Sequence, residues 1–121
     1  MSEILAGGSL ERADFGNVTV LRVKVPMLRE DETTDTLFQQ AFALVEEGGR
    51  SQLVLNLDGV VFLASMAIGK LVQLIHKIRS AGGKLTACKV SRTVGDLLRI
   101  THLSDLLFLY EDEQEAVRSY S

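Results

Sequence analysis

Apolar and polar positions along the chain switch between two periods, one of strands and one of helices. Short apolar runs bounded by turn residues recur at Val18–Val25, Gln52–Leu57, Lys84–Val90 and Leu106–Tyr110, and read as strands. Ser9–Asp14 adds an edge strand that pairs with Val18–Val25 through the turn Phe15-Gly16-Asn17, and Pro26, which has no N–H to give, ends that hairpin. Between these runs the spacing becomes helical. After a charged surface loop, Arg29–Glu32, a first helix starts near Thr33-Thr34-Asp35, turns Leu37, Phe38, Ala41, Leu44 and Val45 inward, and stops at Gly48-Gly49.

The longest periodic segment is Met66–Arg79. Its band Ala67, Ile68, Leu71, Val72, Leu74, Ile75 and Ile78 faces a core, which leaves Met66, Lys70, Gln73 and Lys77 as an outer stripe; Gly82-Gly83 ends it. Ser91 caps a third helix, Arg92–Ile100, whose apolar residues are Val94, Leu97, Leu98 and Ile100, and Glu111–Tyr120 forms an acidic closing helix. In the fourth strand Leu85, Ala87 and Cys88 turn to the core. This order specifies an α/β fold with a mixed sheet of about five strands and four helices, joined by right-handed crossovers. Residues 1–8, rich in small side chains, read as a flexible lead-in, and residues 9–120 as a single domain.

Composition narrows the function classes. With 121 residues and 46% hydrophobic side chains the chain can bury a full core. Its net charge is −3 and its 13 basic residues are scattered, which points away from nucleic acid. A single cysteine, Cys88, suits a reducing compartment, the first residues carry an acid and no basic signal region, and no apolar run is long enough to span a bilayer. The expectation is a cytoplasmic domain that inserts into no membrane.

No catalytic set emerges. His76 and His102 lack an acid or cysteine at ligand spacing, so no metal is expected. The glycines come as pairs rather than as a phosphate-cradling loop, so no cofactor is expected either, and Cys88 reads as a small buried hydrophobe. Ser65, ahead of the long helix, has two open readings. As an N-cap it contributes about 1 kcal/mol relative to alanine. As a phosphorylation site it would place about −1.5 to −2 of charge at a helix N-terminus, on a surface otherwise apolar. Met66 beside it is an apolar side chain on the wet face, a good interface anchor.

The run Phe62-Leu63-Ala64-Ser65-Met66-Ala67-Ile68-Gly69 resembles the loop, roughly F-M-D-S-S-G-L-G, that marks the STAS domain of bacterial anti-sigma factor antagonists. Gly82-Gly83-Lys84-Leu85 resembles that family's glycine pair before a strand, Leu98–Asp105 its L-x-x-T-G-L-x-D segment, and Glu113–Val117 its acidic closing helix. Ala64 stands where the family has an aspartate, Met66 and Ala67 where it has a serine and a glycine, and Val25-Pro26-Met27-Leu28 replaces its glycine–acid segment. The resemblance implies a non-enzymatic module that binds a kinase-type anti-sigma factor through Phe62, Leu63, Ala64, Ser65, Met66, Lys70, Gln73 and Lys77, with Ser65 as the phosphorylated switch. As an alternative it allows a STAS scaffold subunit, never phosphorylated, of a stress-signalling assembly or lipid transporter, and it allows a homo-oligomer.

Overall fold

Successive side chains of a strand face opposite sides of a sheet, and here that alternation divides the apolar residues between two cores. In the computed structural model, which describes residues 2–121, Leu21 and Val23 of β3 (Val18–Val23) and Leu53 and Leu55 of β5 (Gln52–Asn56) turn to one side, while Val18, Val20 and Val54 turn to the other. The first side is covered by α1 (Glu32–Glu46), α2 (Ser65–Ser80) and α3 (Arg92–Ile100), which bury Leu37, Phe38, Leu74, Ile78 and Leu98 against it. The second is covered by α4 (Glu113–Arg118) alone, through Ala116, Val117 and the following Tyr120.

The central sheet has six strands. β1 (Ser2–Ile4), β2 (Leu10–Phe15) and β3 run antiparallel; β3, β5, β7 (Lys84–Cys88) and β8 (Phe108–Tyr110) run parallel, in the order β1-β2-β3-β5-β7-β8. A separate parallel pair, β4 (Met27–Leu28) with β6 (Phe62–Leu63), sets Met27 beside Phe62 and Leu28 beside Leu63. The α/β architecture with a mixed sheet and four helices is therefore as expected, with one more strand in the sheet and the small parallel pair besides.

Several boundaries differ from the sequence reading, each for a local reason. Residues expected to be a loose lead-in include β1, whose Ser2 and Ile4 pair with Ala13 and Glu11; β2 is thus an inner strand, not the edge. α1 begins earlier because Asp31 caps it, its Oδ1 accepting from the Thr34 N–H at 2.9 Å, so the threonines lie inside the first turn. The last strand is shortened by a 3-10 turn, Leu103–Asp105, entered through His102 with a left-handed φ of 62°. α3 and its Ser91 cap, whose Oγ accepts from the Val94 N–H at 3.2 Å, occur as expected.

α4 is short, so its hold on the sheet rests on a few polar contacts. Arg22 donates two hydrogen bonds of 2.8 Å to the Glu113 carboxylate, which also accepts from the Asn56 amide at 2.9 Å. The Tyr120 hydroxyl lies 2.6 Å from the Leu53 carbonyl and 2.7 Å from that of Lys84. The hydrogen bond from Arg22 holds the Glu113 carboxyl below its ordinary range, against the opposing effect of burial. A depressed carboxylate contributes stability that is present above the unfolded value of about 4.3 and lost as pH falls through the lower folded one. Glu113→Gln is expected to cost about 2 kcal/mol near neutral pH in chemical denaturation. The difference between variant and parent should shrink as the pH drops below about 4; a difference independent of pH would contradict this role.

Candidate partner-binding site

The segment between β5 and α2 is fixed from beneath while its side chains remain outside. The turn after β5 uses Gly59 at φ 83° and a hydrogen bond from the Asp58 N–H to the Asn56 side-chain oxygen at 2.9 Å. Val60 drops into the core, and Val61 and Phe62 stay 49% and 46% exposed. Their backbone is held on both sides: the Val61 N–H donates to the Pro26 carbonyl and the Ala64 N–H to the Leu28 carbonyl, each at 2.8 Å. The exposed apolar side chains therefore sit on an ordered backbone, which lowers the entropy cost of docking. Met27, opposite Phe62 in the β4–β6 register, is also exposed.

Ser65 is the first residue of α2 and not its cap. Ala64 holds the extended cap conformation (φ −74°, ψ 165°), and no side chain caps the helix. An N-cap oxygen reaches the N–H groups two or three residues ahead only from that extended backbone, so one step into the helix the Ser65 side chain is exposed and caps nothing. The first turn of α2 carries no acidic residue, so the positive end of its dipole is unopposed.

The remaining residues expected at the interface differ in exposure and in their neighbours. Leu63 and Ala64 are buried, Leu63 beneath a groove between the loop and α3. Met66 is half-buried and Gln73 exposed. Lys70 pairs with Asp35 at 3.2 Å, and Lys77 pairs with Glu46 while its ammonium lies 5.3 Å from the centre of the Phe42 ring. Both lysines thus bridge α2 to α1, because the stripe borders the seam where those helices pack.

What the sequence reading missed lies on α3. Ile100, read from the sequence only as one of the apolar residues of that helix, is 75% exposed. With Val61 and Phe62 it borders a groove of about 320 Å³ between the loop and α3, whose α3 wall includes Thr93, Asp96 and Leu97. The helical period carried this signal: at 100° per residue Ile100 falls about 140° from the midpoint of Val94 and Leu98.

His76 and His102 are exposed, and His102 lies 3.6 Å from Asp105. Burial, aided by Glu113 and Asp112, pushes the Cys88 thiol up to about 12, so it stays protonated beneath α4. Among the described residues no three metal-ligating side chains cluster, and no helix is long and apolar enough to cross a membrane. An exposed apolar surface of this kind is suited to holding another molecule.

Comparison with known proteins follows the same lines. An anti-sigma-factor antagonist (STAS) domain protein from Planctomyces limnophilus superposes with a TM-score of 0.79 at 24% identity, over 93% of this chain and 97% of that one. The Bacillus cell fate determinant SpoIIAA in its phosphorylated form gives a TM-score of 0.74 at 13% identity, over 93% and 99%. The murine anion transporter Slc26a9 gives 0.71 at 17% identity, over 87% of this chain but 18% of the transporter. These likenesses establish a shared fold. The sequence model of the STAS domain matches residues 10–116, from β2 to α4, and the chain belongs to the STAS domain family.

Proposed function

We propose that the protein is a non-enzymatic binding module of the anti-sigma factor antagonist kind, which captures a kinase-type anti-sigma factor and so releases a sigma factor. The carrying observation is the cluster of exposed apolar side chains, Val61, Phe62 and Ile100, lining one groove close in sequence to an exposed serine at the mouth of α2. The Planctomyces limnophilus protein, described as an anti-sigma-factor antagonist domain protein, supports the same reading. The partner docks over the Val61–Ser65 loop and the α3 groove, and Met66 and Gln73 extend the contact along α2. Lys70 and Lys77 are engaged with α1 and contribute little.

Ser65 is the switch in this reading. A phosphate there meets the N–H groups and the unopposed dipole of α2 while charging the rim of the apolar surface. Ala64 supplies no carboxylate beside the hydroxyl, so the partner's own groups must take the proton. Incubating the protein with the partner and ATP, and mapping phosphate by mass spectrometry, is expected to find it on Ser65. Ser65→Asp should weaken binding at least about tenfold, or about 1.4 kcal/mol. Phosphate elsewhere or none, with Ser65→Asp binding as tightly as the parent, removes the switch and leaves the docking surface standing.

A second reading is a scaffold subunit that is never phosphorylated, which Ala64 and the fold shared with a domain-sized part of Slc26a9 favour. A stable complex with a transporter component, and none with an ATP-binding anti-sigma factor, would decide for it.

A further inference from the structure

A second cavity lies apart from the docking groove, on the other side of α3. It holds about 590 Å³ at the carboxyl ends of β7 and β8, a size suited to a small organic molecule. Three cations from two elements line it: Lys89 on the β7–α3 connection, and Arg92 and Arg99 on α3. That is a marked local excess in a chain whose net charge is −3. Arg99 is bonded to Asp96, whereas Lys89 and Arg92 have no carboxylate partner among the described residues. Val90, Leu109 and Tyr110 give the cavity an apolar wall, with Leu109 39% exposed, and Glu111 stands at its rim.

Gly95 is the independent sign that this space is kept open. A Cβ there would meet Val90 Cγ1 at 3.7 Å and Arg99 Nη1 at 3.8 Å, ordinary contacts, so packing does not require glycine. Mid-helix glycine is nevertheless unfavourable by about 1 kcal/mol relative to alanine. Its effect here is to leave the cavity wall bare beside the cations.

We infer that this cavity binds a small organic phosphate, a phosphomonoester on an aromatic or aliphatic body. Guanidinium forks match the oxygens of a phosphate in pairs, and an ammonium adds a compact charge. A dianion is drawn to a lining with more cations than anions more strongly than a singly charged carboxylate is. The apolar wall takes the organic body.

Phenyl phosphate is a suitable probe, titrated into the labelled protein and followed by amide chemical shifts. Expected are shifts concentrated at residues 89–92 and 109–111, and affinity at least tenfold above that for inorganic phosphate or phenol. Lys89→Gln with Arg92→Gln should weaken phenyl phosphate at least tenfold at an unchanged melting temperature, since both side chains are exposed. Gly95→Leu, which fills the cavity from a position where a Cβ fits, should do the same while leaving the two cations in place. Shifts scattered over all basic surfaces, equal affinity for phenol, or full binding by both variants would overturn the inference.

Discussion

Gly83→Ala is expected to be the most damaging single-methyl change in this protein. A Cβ on Gly83 would lie 1.8 Å from the Ser51 carbonyl oxygen and 2.5 Å from the Ser51 Cβ. The obstacle is mainly backbone, so no side chain can rotate out of the way. That carbonyl also accepts the Lys84 N–H at 3.0 Å, the bond with which β5 and β7 begin to pair. Making room therefore separates two central strands. Overpacking costs about 1–3 kcal/mol where side chains can yield, and here the loss should reach or exceed the upper figure. Gly82→Ala is the contrast. Gly82 has open space but a φ of 80°, so its cost is the left-handed conformation alone, about 1–2 kcal/mol. Denaturant unfolding of both variants checks the pair. A Gly83→Ala protein more stable than Gly82→Ala would contradict the close approach.

The largest effect on binding is expected from the apolar anchors. Phe62→Asp or Ile100→Asp should each weaken the complex with the proposed anti-sigma factor partner at least about a hundredfold, roughly 2.7 kcal/mol, within the range of interface hot spots. Both side chains are exposed in the free protein, Phe62 at 46% and Ile100 at 75%, so the melting temperature should scarcely move. Lys77→Ala should behave in the opposite way: affinity nearly unchanged, and a loss of stability below about 1 kcal/mol because its ion pair with Glu46 is at the surface. If Ile100→Asp binds as the parent does while Phe62→Asp does not, the α3 wall lies outside the interface.

Much of the fold was legible because pattern and packing agree along the chain. The inward band of α2 contains the five residues that are buried there, Ala67, Leu71, Leu74, Ile75 and Ile78. Ser91 and the glycine at position 82 end or begin helices as their chemistry dictates. Elements that depend on distant partners were not legible. β1 has three exposed residues and owes its existence to pairing with β2, and the two-residue strands β4 and β6 exist through each other. The site was legible in part. Phe62 and Ser65 are exposed as the resemblance to the family implied, but Leu63 and Ala64 are turned inward by the hydrogen bonds that tie the loop to β4. Lys70 and Lys77 look free in a helical period because the period shows no neighbour, and the acids they meet belong to α1. Ile100 is exposed because its angle around α3 turns it away from Val94 and Leu98.

Amide hydrogen exchange on the protein alone and in complex with the anti-sigma factor proposed as its partner tests the docking surface most directly. The expected result is slowed exchange confined to residues 61–66 and 93–101, with the outer face of β1–β2 and the exposed side of α1 unchanged. Protection on β1–β2 or α1, with residues 61–66 and 93–101 exchanging as in the free protein, would place the interface elsewhere.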